Sequence, residues 1–147
     1  MNNYLWLFAK VLKTNHKHQI SNTSSRTEYP NSKPVYDLEE RTFLSAKDVR
    51  IFVKTLPKTI ANIEDGKQLV KASGSVGGND REANEALSKK DFVMRVKICR
   101  KEAKESAYWL RLINETNDLQ NSEDAKKLIQ EANELKMIFS SILEKSK

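Results

Sequence analysis

The sequence predicts an all-α fold, an antiparallel up-down-up-down four-helix bundle with an unstructured N-terminal extension. Three observations carry that prediction. From residue 37 onward apolar residues recur at alternating spacings of four and three, the mark of one buried helix face, and no segment alternates with period two. Only four glycines and three prolines occur in 147 residues, while 31% of residues are charged, a balance that favours helix. Short polar breaks separate the apolar runs, which sets successive helices antiparallel to one another.

The elements follow in order. Asp37 and Glu40 have the spacing of a capping box, in which side chains and backbone amides satisfy each other at a helix start. A first helix is predicted over 39–56, with Ala46, Val49, Val53 and Leu56 as its inner stripe and Pro57 as its stop. A second is predicted over 59–87, with the stripe Leu69, Ser73, Val76, Asp80, Ala83, Leu87. All the glycines (Gly66, Gly74, Gly77, Gly78) fall in this helix. Each costs about 1 kcal/mol against alanine, which points to a close approach or a local bend. Ser88 and Asp91 form a second capping box ahead of a third helix over 89–115. Its stripe, Phe92, Val96, Cys99, Ala103, Ser106, Leu110, Ile113, is unbroken over three heptads. Asn117 to Asn121 is a polar turn, after which Ser122 caps a fourth helix over 123–144 with the stripe Ala125, Leu128, Ala132, Leu135, Phe139, Ile142.

Two domains of unequal kind result: an extension over 1–36 and the bundle over 37–147. Within the extension, residues 4–12 (YLWLFAKVL) are apolar but too few to span a bilayer. No basic residue precedes them, Lys10 lies within them, and Lys13 and Lys17 follow, so a secretory signal is not expected. Residues 13–36 are rich in Asn, Ser, Thr, Lys and His, carry Pro30 and Pro34, and read as linker. The single cysteine, Cys99, precludes a disulfide within the chain and fits a cytoplasmic setting. The net charge of +6 is uneven, with +4 in residues 1–36 and +2 in the bundle, so an argument about polyanion binding has to rest on local clustering.

Six segments in and just before the two central helices, taken in order, carry a recognisable pattern. They are Leu56-Pro57-Lys58, Gly66-Lys67-Gln68-Leu69, Ser73-Gly74-Ser75-Val76-Gly77, Glu82-Ala83-Asn84-Glu85-Ala86, Ser88-Lys89-Lys90-Asp91-Phe92 and Cys99-Arg100-Lys101-Glu102-Ala103. Together they resemble the bacterial four-helix-bundle proteins encoded by intervening sequences in 23S rRNA genes, over roughly residues 37–147. The resemblance implies a left-handed bundle and assembly into a ring-like homopentamer, and it assigns no established activity. It also implies likeness in fold to the accessory protein of diversity-generating retroelements, which binds nucleic acid and a reverse transcriptase. The sequence departs from the family pattern at Asp80 and Arg81, where an apolar or aromatic residue is common, and at Gly78, where alanine is common.

Catalysis is not expected, and no cofactor or metal is predicted. The bundle has no histidine, since His16 and His18 lie in the extension, so Ser-His, Cys-His and Glu-x-x-His metal chemistry lack a key group. Cys99 sits on the inner stripe and reads as a structural thiol. Glu82/Glu85 and Glu102/Glu105 have the spacing with which some all-α nucleotide pyrophosphatases hold magnesium, which makes a magnesium-dependent nucleotide hydrolase the enzymatic alternative. A hairpin turning near Ser88 would set Glu82 opposite residue 94, however, which leaves Glu102 about 12 Å further along the axis. These glutamates are therefore expected on the solvated surface, with Arg81–Glu85 and Lys101–Glu105 as i,i+4 partners.

The strongest functional signal is positive charge. Residues 89–111 hold eight basic groups against Asp91, Glu102 and Glu105. Lys97, Lys101, Lys104, Tyr108 and Arg111 repeat at four-three-four-three, opposite the inner stripe, and Arg100 lies beside them. Such a ridge could follow phosphates without reading bases. RNA, or another nucleic acid, is thus one expected partner. The other is the protein itself, because Phe43, Ile51, Phe52, Ile98, Trp109, Leu112, Ile129, Ile138 and Leu143 exceed what the stripes need and would mark a homo-oligomer surface. A protein scaffold without nucleic acid is the alternative that the same apolar excess supports.

Overall fold

The computed structural model describes residues 37–119 and 122–147. They form four helices, α1 (Leu38–Thr55), α2 (Ile60–Asn84), α3 (Lys89–Thr116) and α4 (Ser122–Lys145), with no strand among the described residues. The expected architecture of residues 1–36 and the cap made by the Ser122 side chain lie outside the described residues.

Local chemistry sets the helix ends. Asp37 Oδ1 accepts from the Glu40 backbone N–H at 3.2 Å, and Thr59 Oγ1 accepts from Asn62 N–H at 3.2 Å. Each satisfies one of the donors a helix start leaves bare. Leu56 ends α1 in an extended conformation, as the residue before a proline must. At α3, Ser88 Oγ accepts from Asp91 N–H at 3.1 Å, while the Asp91 carboxylate reaches back to Leu87 N–H at 3.3 Å. The return arm of that box lands one residue earlier than in the usual motif, and it pins the turn.

Contacts between helices run in opposite numerical order, which makes each neighbouring pair antiparallel. From α1 to α2, Glu39 meets Asn84 and Thr42 meets Asp80, while Val53 packs at Gly66. From α2 to α3, Asn79 accepts from Arg95 Nη1 at 3.3 Å, and Asn62 and Asn117 exchange two side-chain amide hydrogen bonds of 2.8 Å. Arg41 closes the bundle onto α4 with Nε 2.7 Å from Glu131 and Nη2 2.6 Å from Glu134.

The core falls into two clusters. One gathers Leu38, Val76, Ala83, Phe92, Val96, Cys99, Leu135, Phe139 and Ile142; the other gathers Val49, Phe52, Leu56, Leu69, Leu110 and Ile113 with Ala125 and Ala132. All seven stripe residues of α3 are buried. Two of the polar stripe members bond to their own helix: Ser73 Oγ donates to Val70 O at 3.3 Å and Ser106 Oγ to Glu102 O at 2.9 Å.

Several expectations change. Leu87 lies 97% exposed, because α2 ends at Asn84 and the four-three period lapses there; Ala86 takes the buried place. Phe52, Ile138 and Leu143 belong to the core of the single chain rather than to an outer face. The inner face of α1 and α4 is thus wider than a two-per-heptad stripe, as in globular bundles. Phe43 and Ile51 remain exposed, at 59% and 53%, and Ile98, Trp109, Leu112 and Ile129 are half-buried.

The glycines differ in what they do. A Cβ at Gly66 would stand 3.1 Å from Val53 Cγ1, so this glycine lets α1 approach, whereas a Cβ at Gly78 would meet nothing within 4 Å. Gly78→Ala is therefore expected to raise stability by about 0.5–1 kcal/mol in urea denaturation through helix propensity alone. Gly66→Ala should yield no gain, or a loss, because Val53 has to give way.

Candidate nucleic-acid interface

The α3 helix builds the candidate interface because its inner face is fully used. With Phe92, Val96, Cys99, Ala103, Ser106, Leu110 and Ile113 turned inward, the 100° step per residue carries Lys97, Lys101, Lys104, Tyr108 and Arg111 to the far side. All five, with Arg100, are exposed. Arg95 is not part of this ridge; it turns toward α2, lying 3.4 Å from Asp91, 3.3 Å from Asn79 Oδ1 and 3.9 Å from Glu82. That contact also places Glu82 opposite residue 95, one position from the expected register.

The ridge is not uniformly free. Arg111 Nε holds Glu115 at 2.6 Å, an i,i+4 pair that ties the last cation to a carboxylate. Lys101 Nζ lies 3.8 Å from Glu102, and Glu105 accepts instead from Trp109 Nε1 at 3.4 Å, so the expected Lys101–Glu105 pair is replaced. The expected Arg81–Glu85 pair is likewise not among the ion pairs of the described residues. The Arg111–Glu115 pair is solvent-exposed and of small energetic weight, whereas in the longer Lys101–Glu102 contact only the lysine is exposed. Lys97, Arg100 and Lys104 make no ion pair among the described residues and form the unengaged centre of the ridge.

Sequence reasoning left Trp109 out of the site. Tyr108 and Trp109 meet edge to face, ring centroids 4.9 Å apart at 77°, and the Trp109 indole is held by Glu105. Tyr108, 58% exposed, is thus a braced aromatic on the cationic face rather than a lone ring. Adjacency in sequence was the available signal, masked because residues 108 and 109 fall on different faces of an ideal helical wheel.

Outside the ridge, among the described residues, no three His, Cys, Asp or Glu side chains gather as a metal-binding group. Cys99 is buried, and its thiol donates to Val76 O at 3.4 Å. Desolvation, then the nearby Asp80 carboxyl, push the thiol well above its ordinary range. No helix of the described residues is long and apolar enough to cross a membrane.

The fold and this site together define a helical bundle with a cationic outer ridge. The chain belongs to the 23S rRNA-intervening sequence protein family, whose model matches residues 37–141. Among solved structures it is similar to a protein of unknown function from the S23 ribosomal protein family of Bacteroides thetaiotaomicron, at 25% identity and a TM-score of 0.64. That likeness covers 74% of this chain and 99% of the other. No curated protein matches.

Burial predicts the behaviour of the thiol. Cys99 in the native protein is expected to resist a neutral disulfide reagent and to react only as fast as the domain opens, with full reaction in denaturant. Rapid labelling under native conditions would show that α3 is not seated as described.

Proposed function

We propose that the protein is a non-catalytic, self-associating bundle that offers the outer face of α3 to nucleic-acid phosphates without reading base sequence. The observation that carries this reading is the row of exposed, unengaged cations Lys97, Arg100 and Lys104. Lys101 and the braced Tyr108 share their face. Each cation that neutralises a phosphate releases counterions, so binding is driven largely by charge. Tyr108 adds a stacking surface that any unpaired base can use. The place of action on this reading is the cytoplasm.

Self-association multiplies the effect by repeating the ridge on one particle. Its support is the apolar surface the monomer leaves wet: Phe43, Ile51 and Met137 at 59%, 53% and 61% exposure, and Ile60 at 85%. A homopentamer is the assembly expected from the family resemblance. The same surface favours the second reading, a protein scaffold in which the ridge is only solvated.

Two expected outcomes check the proposal. Native mass spectrometry should find a pentamer that Phe43→Lys with Ile51→Lys converts to smaller species; a monomer throughout the micromolar range would remove the self-association claim. Affinity for single-stranded RNA should fall with salt at a log–log slope of about 0.7 to 0.9 per phosphate neutralised. Changing Lys97, Lys101 and Lys104 together to Gln should lower that slope and the affinity about equally for all sequences. If deletion of residues 1–36 abolishes binding while the triple change leaves it intact, the basic extension is the binding element and the ridge is not.

A further inference from the structure

Asp80 is the one carboxylate whose side chain the bundle takes fully inside, at 0% exposure among the described residues. It lies on the inner stripe of α2, where α1 comes close: a Cβ on the neighbouring Gly77 would stand 3.7 Å from the Thr42 carbonyl oxygen. Among the described residues only Thr42 serves the carboxyl. Thr42 Oγ1 is 3.3 Å from Asp80 Oδ2 but also 3.0 Å from the Glu39 carbonyl oxygen, and Asp80 Oδ1 has no partner. The hydroxyl owns one proton and faces two acceptors. An ionised Asp80 must compete with the α1 backbone for that proton and still leave an oxygen bare. A neutral Asp80 carries its own proton, donates it to Thr42 Oγ1, and lets the hydroxyl keep its bond to Glu39.

The surroundings favour the neutral form from each side. From α1, Glu39 and Asp37 add negative charge. From α3, the Cys99 thiol contributes no cation, and Arg95 is turned to Asp91, Asn79 and Glu82. From α4, Glu131 and Glu134 are engaged by Arg41.

We propose that the Asp80–Thr42 contact is a pH-sensitive latch that seats α1 on α2 while Asp80 is a neutral acid and loosens α1 when the carboxyl ionises. Burial, opposed only by the Thr42 hydrogen bond, raises the carboxyl to about 7, so the latch works near neutrality. The sign follows from linkage. The closed state binds the proton more tightly than the open one, so the latch is fully stabilising below the ordinary carboxylate range. It weakens as pH rises and contributes nothing above about 7. Since α1 carries Phe43 and Ile51, the latch governs the element with the most exposed apolar surface in the middle of a helix.

Hydrogen exchange on the full-length protein tests this, with amide rates corrected for intrinsic pH dependence. From pH 5 to pH 8 the opening constant of α1 amides around Thr42 should rise by up to about a hundredfold, and at pH 8 it should exceed that of amides at the centre of α3, which open only with the whole bundle. Asp80→Asn, which keeps the shape and cannot ionise, should remove the rise. The carboxyl carbon of Asp80 in the unaltered protein, followed by NMR, should titrate near neutrality whatever the variant does. An α1 opening constant flat over this range or no larger than that of α3 at pH 8, a rise that persists in Asp80→Asn, or an Asp80 already ionised at pH 5, would overturn the proposal.

Discussion

The structure depends on the continuous apolar seam along α3. That seam runs from Phe92 to Ile113 without a gap, and every member is buried. Because α3 packs on both α2 and α4, one stripe serves two neighbours, and the two core clusters each draw on it. Removing its surface from water supplies the main favourable term for the bundle, at about 25 cal/mol per Å² of apolar area. The remaining contacts refine the register: the Asn62–Asn117 amide exchange near one end, Arg41 on Glu131 and Glu134 between α1 and α4.

The seam also dictates where charge goes. A helix whose inward face is filled by apolar residues must carry its lysines and arginines elsewhere, and in α3 they collect on the back. Exposure of the cations is thus a consequence of packing. What packing does not require is their number and their lack of partners. At Glu64–Lys67 and Glu123–Lys126 an exposed lysine pairs with a carboxylate three residues away. At Lys97, Arg100 and Lys104 that compensation is missing among the described residues, which leaves a local excess of positive charge.

Much of this was legible in the sequence, for physical reasons. The α3 stripe was readable residue by residue because its period never breaks, and the Asp37 and Ser88 helix starts followed from capping chemistry, whereas the Thr59 cap was not read. Asp80 was readable as a stripe position, although its burial beside Thr42 depends on a partner 38 residues away. Phe52, Ile138 and Leu143 were misplaced because a narrow stripe was assumed where the packed face is broad. Leu87 was misplaced because a period says nothing about where a helix stops. On the ridge, exposure was legible from spacing alone, whereas the Arg111–Glu115 pair and the bracing of Tyr108 by Trp109 are matters of rotamer, which periodicity does not encode.

The central claim is that the back of α3 is where polyanions meet this protein. The most direct measurement is a titration of the isotope-labelled full-length chain with single-stranded polyuridine, read by backbone amide NMR. The account predicts shifts concentrated between Lys97 and Arg111, with the Trp109 indole signal moving alongside and the whole pattern reverting on added salt. Shifts confined to residues 1–36 or to the outer faces of α1 and α4, with the α3 amides unmoved, would contradict it.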